Sequence, residues 1–211
     1  MAYDLYVITD EEIGRGRSHA ELAARAVAGG ADAIQLRDKT LSGRALFDAA
    51  FAVREITFDA GALFIVNDRL DVALAAGADG VHLGESDLPI GEARRLAPPG
   101  FIIGASVGSV ATAVRAATEG ADYVALSPTF ATGSKDDAGP GRGLAVLAEI
   151  RAAVSLPIVA IGGITAENVS DVIAAGADGV AVISAVVGKD DVTAAARDLR
   201  ARIVAAKTRG R

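Results

Sequence analysis

The chain has 211 residues, 51% of them apolar and 23% charged, with a formal net charge of −6. That length suits one sizeable domain whose core needs no covalent staples. The lack of cysteine excludes disulfides, thiolate metal sites and cysteine nucleophiles. Two histidines, His19 and His82, exclude a multi-histidine metal centre, and 27 acidic against 21 basic residues argue against a general nucleic-acid surface.

The first apolar run, Leu5 to Ile8, ends in Thr9-Asp10. A helical stretch, Ala20 to Ala28, follows, and His19 at its start reads as a surface residue. Gly30-Ala31-Asp32 leads into Ala33 to Leu36, followed by Arg37, Asp38 and Lys39. Leu63 to Val66 runs into Asn67-Asp68. Gly77-Ala78-Asp79 introduces Gly80 to Leu83, with His82 inside the run and Glu85 and Asp87 just beyond. Phe101 to Gly104 precedes Ser106, and Gly120-Ala121-Asp122 introduces Tyr123 to Leu126. A long stretch rich in glycine and proline, Ser127 to Gly143, carries Thr132, Gly133, Ser134 and Lys135. Pro157 to Ile161 ends in Gly162-Gly163. After the helical Asn168 to Ala175, Gly176-Ala177-Asp178 introduces Gly179 to Ile183 and Ser184.

Each Gly-Ala-Asp follows an alanine-rich helical segment that a left-handed glycine would terminate, and each gives way to a short apolar run. Such runs mark strands buried on both faces. Eight strands, each with a helical stretch, take about 26 residues apiece, which predicts a single (β/α)8 barrel over residues 1–211, near the lower size limit of that fold. A doubly wound open sheet shares the alternation, but would show a Gly-rich turn after its first strand, where Thr9-Asp10 stands instead. No apolar run reaches the length of a membrane span and the N-terminus lacks a signal-peptide pattern, so the chain is expected to be cytoplasmic.

Barrel chemistry sits on the loops after the strands, and there the polar residues gather, while the opposite rim holds mainly the Gly-Ala-Asp joints. Gly162-Gly163 and Ser184 occupy the usual phosphate position of barrels; a plain tight turn is the blander reading. Arg37, Lys39 and Lys135 suit a diphosphate, although taken alone each reads better as a rim salt-bridge partner of Asp38, Asp136 or Asp137. Asp68 and Asp87 on neighbouring loops could hold Mg²⁺, but spacing alone slightly favours Asp68 as a helix cap. His82 reads as a hydrogen-bonded core residue at least as readily as a catalytic one.

Taken in order, Tyr6-Val7-Ile8-Thr9-Asp10, Gln35-Leu36-Arg37-Asp38-Lys39, Asn67-Asp68-Arg69, Gly77 to Gly84, Ile161-Gly162-Gly163-Ile164 and Gly179 to Ser184 resemble the thiamine phosphate synthase family over essentially the whole chain. The resemblance implies a transferase that joins a hydroxymethylpyrimidine diphosphate to a thiazole phosphate, releasing pyrophosphate through a dissociative path. It also implies residue roles. Gln35, Leu36, Arg37, Asp38, Lys39, Asn67, Ser106 and Lys135 would bind the pyrimidine diphosphate, with Arg37, Lys39 and Lys135 catalytic through charge. Asp68 and Asp87 would hold Mg²⁺, while Thr132, Gly133 and Ser134 would line the thiazole site. Gly163, Ile183 and Ser184 would cradle its phosphate.

Three positions depart from the family pattern: Glu85 stands for a frequent glutamine, Gly108 for a frequent histidine, and residues 131–143 are rewritten with glycines. Two rivals remain at this level. One is the thiazole tautomerase branch, which tends to lose parts of the diphosphate and metal set and uses a sixth-loop histidine where this chain has Pro128. The other is a non-catalytic barrel that binds a phosphorylated ligand. Homo-oligomer formation is left open.

Overall fold

Almost every strand residue is buried, because each strand has the barrel interior on one side and the helical layer on the other. In the computed structural model, which describes residues 4–133 and 141–209, the strands are β1 (Leu5–Thr9), β2 (Ala33–Leu36), β3 (Leu63–Asn67), β4 (Gly80–Leu83), β5 (Ile102–Val107), β6 (Tyr123–Leu126), β7 (Ile158–Ile161) and β8 (Gly179–Val182). They pair in parallel in chain order, and β8 closes on β1. The helices between them are α1 (His19–Ala28), α2 (Gly43–Ala60), α3 (Leu70–Ala75), α4 (Ile90–Leu96), α5 (Val110–Glu119), α6 (Gly143–Ala153), α7 (Val169–Ala174) and α8 (Val192–Arg209). The expected (β/α)8 barrel is therefore the observed one.

Gly30, Gly77, Gly120 and Gly176 have φ of 94°, 66°, 97° and 108°, the left-handed geometry expected at the helix ends. The aspartates beside them do something the sequence did not announce. Asp32, Asp79, Asp122 and Asp178 accept hydrogen bonds from the backbone N–H of Leu5, Phe64, Ile103 and Ile158, so each ties one strand to its neighbour. Every one of them also pairs with an arginine from an even-numbered helix: Arg200, Arg54, Arg94 and Arg151 respectively. A fourfold set of clamps thus closes the rim opposite the site.

The interior is filled by large side chains from facing strands. The rings of Tyr6 and Tyr123 meet edge to face at 6.2 Å, and each buried aromatic of this kind stabilises the core by roughly 1.5–3 kcal/mol. Gly104 makes room for this contact, since a Cβ there would lie 2.0 Å from the Tyr123 ring. The expected fifth strand stopped at Gly104, whereas β5 continues to Val107. Its extension pairs with β6 and brings Ser106 into the strand itself.

Candidate active site

The polar ends of the strands form two adjoining depressions on one rim. The larger, about 1000 Å³, is lined by Arg37, Lys39, Asn67, Asp68, His82, Asp87, Ser106, Gly108 and Arg142, among others. The smaller, about 380 Å³, lies between the ends of β6, β7 and β8 and is lined by Pro128, Thr132, Gly162, Gly163, Ile183 and Ser184 among others. Ser127 belongs to both walls, so the two spaces are neighbours.

Asp68 does not cap α3. The cap position is Arg69, without a side-chain cap bond, and Asp68 instead adopts φ 61°, a left-handed conformation unusual outside glycine. That backbone turns its carboxyl into hydrogen-bonding reach of Asp87, whose Oδ2 also accepts from Gly84 N at 2.7 Å. Burial, then the hydrogen bond and charge of Asp87, push Asp68 up to about 6, while Lys39 and Arg37 pull it back. A carboxyl pair beside two cations can share a proton or hold a divalent cation.

Arg37 is mostly buried and pairs with Asp10 at 3.5 Å. Asp38 faces away from the cleft. Its Oδ1 accepts from Thr40 N, Thr40 Oγ1 and Leu41 N at 2.7–2.8 Å, and Oδ2 lies 3.3 Å from His19 Nε2. Burial alone would raise this carboxyl, but these bonds outweigh it and hold Asp38 below the usual carboxylate range.

His19 is not a surface residue: it is 2% exposed, with Nδ1 2.7 Å from Thr9 Oγ1. The approach of the 36–41 loop covers it, which helix periodicity could not report.

Beneath the cleft runs a buried polar chain. Gln35 Nε2 donates to Tyr6 OH at 2.9 Å, and Tyr6 OH lies 3.1 Å from Tyr123 OH. Tyr123 OH is 3.0 Å from His82 Nδ1, and His82 Nε2 is 2.9 Å from Ser106 Oγ. His82 is thus both a core histidine and a wall of the cleft. Among the described residues, Gln35 Oε1 is buried without a hydrogen-bond partner. Leu36 is wholly buried in the core.

At the smaller cavity, Gly162 and Gly163 have φ of 101° and 62°. Cβ atoms there would lie 2.7 Å from Pro128 and from Ala131 O respectively, so the glycines first admit the 128–131 loop against β7. Thr129 N and Phe130 N donate to Ile161 O and Gly162 O, closing that contact. Thr132, Ile183 and Ser184 line the cavity, and Gly133 is exposed. Ser134 and Lys135 lie outside the described residues, as do Asp136 and Asp137. Sequence reasoning took His19 for a surface residue and gave no role to Tyr6, Tyr123 or Arg142.

A closed barrel with its polar residues collected at the C-terminal strand ends defines a (β/α)8-barrel enzyme. The chain belongs to the thiamine monophosphate synthase family, whose model matches residues 5–186. It is 81% identical over 211 residues to a thiamine-phosphate synthase of Methanoculleus marisnigri, covering 100% of both chains. It is 66% identical over 207 residues to that of Methanoregula boonei, covering 98% of this chain and 96% of the relative. A solved thiamine phosphate pyrophosphorylase from Pyrococcus furiosus superposes with a TM-score of 0.90 at 43% identity, covering 97% of this chain and 96% of the other.

Proposed function

We propose that this chain is a transferase of thiamine biosynthesis. It would join hydroxymethylpyrimidine diphosphate to thiazole phosphate, giving thiamine phosphate and pyrophosphate. The observation that carries this reading is the pair of neighbouring cavities that share Ser127, one rich in charge and one floored by glycines, which suits two phosphorylated substrates. The carbon–oxygen bond to the diphosphate breaks, and the thiazole nitrogen supplies the electron pair for the new carbon–nitrogen bond. The demand on the protein is charge stabilisation and alignment.

Arg37, Lys39 and Lys135 receive the charge that grows on the departing pyrophosphate, and Asn67 and Ser106 hold it by hydrogen bonds. The unsatisfied Gln35 Oε1 offers an acceptor to an N–H donor of the heterocycle. Leu36 and Asp38 contribute to that site through the backbone and through loop position. Thr132 and Gly133 serve the thiazole side, with Ser134 a further contact to the same substrate; Gly163, Ile183 and Ser184 take its phosphate.

The Asp68–Asp87 pair fits Mg²⁺, which favours one or two carboxylates completed by phosphate oxygens and water. Bound there, the ion would neutralise charge on the diphosphate. The reading places a single-domain enzyme in the cytoplasm; among the described residues no helix is long and apolar enough to cross a membrane.

The test supplies both substrates with Mg²⁺ and measures thiamine phosphate and released pyrophosphate. Failure to form either, with isomerisation of a thiazole carboxylate phosphate, would give the tautomerase reading its place. Ligand binding without turnover would leave the non-catalytic barrel.

A further inference from the structure

The chain leaves the sixth loop through Arg142, and both ends of that loop are fastened to each other. Arg142 N donates to Pro128 O at 2.9 Å and Gly143 N to Thr129 O at 2.8 Å. The position of Arg142 is therefore set by the β6 end and the start of α6. Its guanidinium lines the charged cleft together with Arg37, Lys39, Asp68, Asp87 and Ser106. Arg37 and Lys39 follow β2, whereas Arg142 enters from the β5–β6 side, so the cations face one another across the mouth. Among the described residues no carboxylate pairs with it, in contrast to Arg37 with Asp10.

Gly108 explains how the side chain reaches that place. A Cβ at 108 would sit 3.0, 3.2 and 3.3 Å from Nη2, Cζ and Nε of Arg142. The backbone at 108 is not left-handed, so conformation does not demand glycine there. What glycine supplies is a surface over which the guanidinium lies flat, beside Ser106 at the end of β5.

We infer that Arg142 is a further binding residue for the diphosphate, and that Gly108 is the positioning residue that lets it lie there. A planar guanidinium facing the Arg37–Lys39 side gives the diphosphate a second fork from the opposite wall. The inference rests on the synthase reading but concerns one cation that the family pattern did not assign.

The experiment titrates inorganic pyrophosphate with Mg²⁺ into wild type, Arg142→Ala, Arg142→Lys and Gly108→Val, and measures KM for both substrates. Arg142→Ala should weaken pyrophosphate binding roughly tenfold, the lower end expected for a charged hydrogen bond at a solvated cleft. Arg142→Lys should recover part of the loss, since charge is kept and the fork is not. KM for thiazole phosphate should stay at the wild-type value in both. Gly108→Val should mimic Arg142→Ala, and adding it to Arg142→Ala should change nothing more.

Unchanged pyrophosphate affinity in folded Arg142→Ala overturns the inference, as does an equal loss for both substrates. Should Gly108→Val fail to fold, the alanine and lysine variants at 142 still decide it. Absence of thiamine phosphate with wild type refutes the synthase reading separately, because the pyrophosphate titration does not depend on turnover.

Discussion

His19 and Asp38 are joined across the start of the barrel mouth, with Nε2 3.3 Å from Oδ2. On its other side the imidazole holds Thr9 Oγ1, which donates to Gln35 O at 3.2 Å, and His19 N donates to Glu11 Oε1. The β2 end, the 36–41 loop and the start of α1 thus converge on one buried ring. His19→Ala removes the brace from the loop that bears Arg37 and Lys39. The expected result is a rise of about tenfold in KM for the pyrimidine diphosphate, with KM for thiazole phosphate unmoved. A stability loss of about 1–3 kcal/mol in denaturant unfolding should accompany it. Equal changes in both KM values would remove His19 from the positioning of that loop.

Asp68 and Asp87 give the site a pH signature. Asp68 sits at about 6 in the folded chain and near 3.9 when unfolded. Between roughly pH 4 and 6 the folded state therefore holds a proton that the unfolded state has lost, and metal-free stability through this group falls as pH rises across that window. Asp68→Asn should abolish that slope and raise the melting temperature above pH 6 in chelator. Mg²⁺ should stabilise wild type at pH 7.5 more than at pH 5, where protons compete for the pair, and should leave Asp68→Asn unmoved. A full Mg²⁺ response in Asp68→Asn would place the cation elsewhere.

Tyr123 OH stands between Tyr6 and His82 in the buried polar chain. Tyr123→Phe keeps the ring that fills the space above Gly104 but removes the hydroxyl. Two buried groups then lose a partner, with an expected cost of about 1–3 kcal/mol. Because His82 also holds Ser106, kcat should fall while the protein remains folded by circular dichroism. Unchanged kcat would confine the chain to a structural task.

Arg94 reports on the opposite rim. It donates to Phe101 O and Gly120 O at 2.7–3.1 Å and pairs with Asp122. Arg94→Ala should lower unfolding free energy by about 1–3 kcal/mol with kcat and both KM values unchanged, since that rim carries stability in barrels. Altered KM values would contradict the separation of the two ends.

How much of this was legible beforehand follows the range of the forces concerned. Periodic burial and glycine helix ends are local, so eight apolar runs and four Gly-Ala-Asp joints were enough to determine the barrel, and barrel geometry then located the polar rim with Asp68, Asp87, Arg37 and Lys39 on it. The sequence alone could not separate a helix cap from a cation site at Asp68, because both readings want a carboxylate after a strand; the backbone turn at φ 61°, with Arg69 at the cap position, excludes the cap. It took His19 for a surface residue, since nothing local shows that the 36–41 loop folds over it. Tyr6 and Tyr123 lie far apart in the chain, as do Gly108 and Arg142. The first contact exists because closing the sheet brings β1 and β6 face to face, the second because the loops after the paired strands β5 and β6 converge, and neither leaves a periodic mark on its segments.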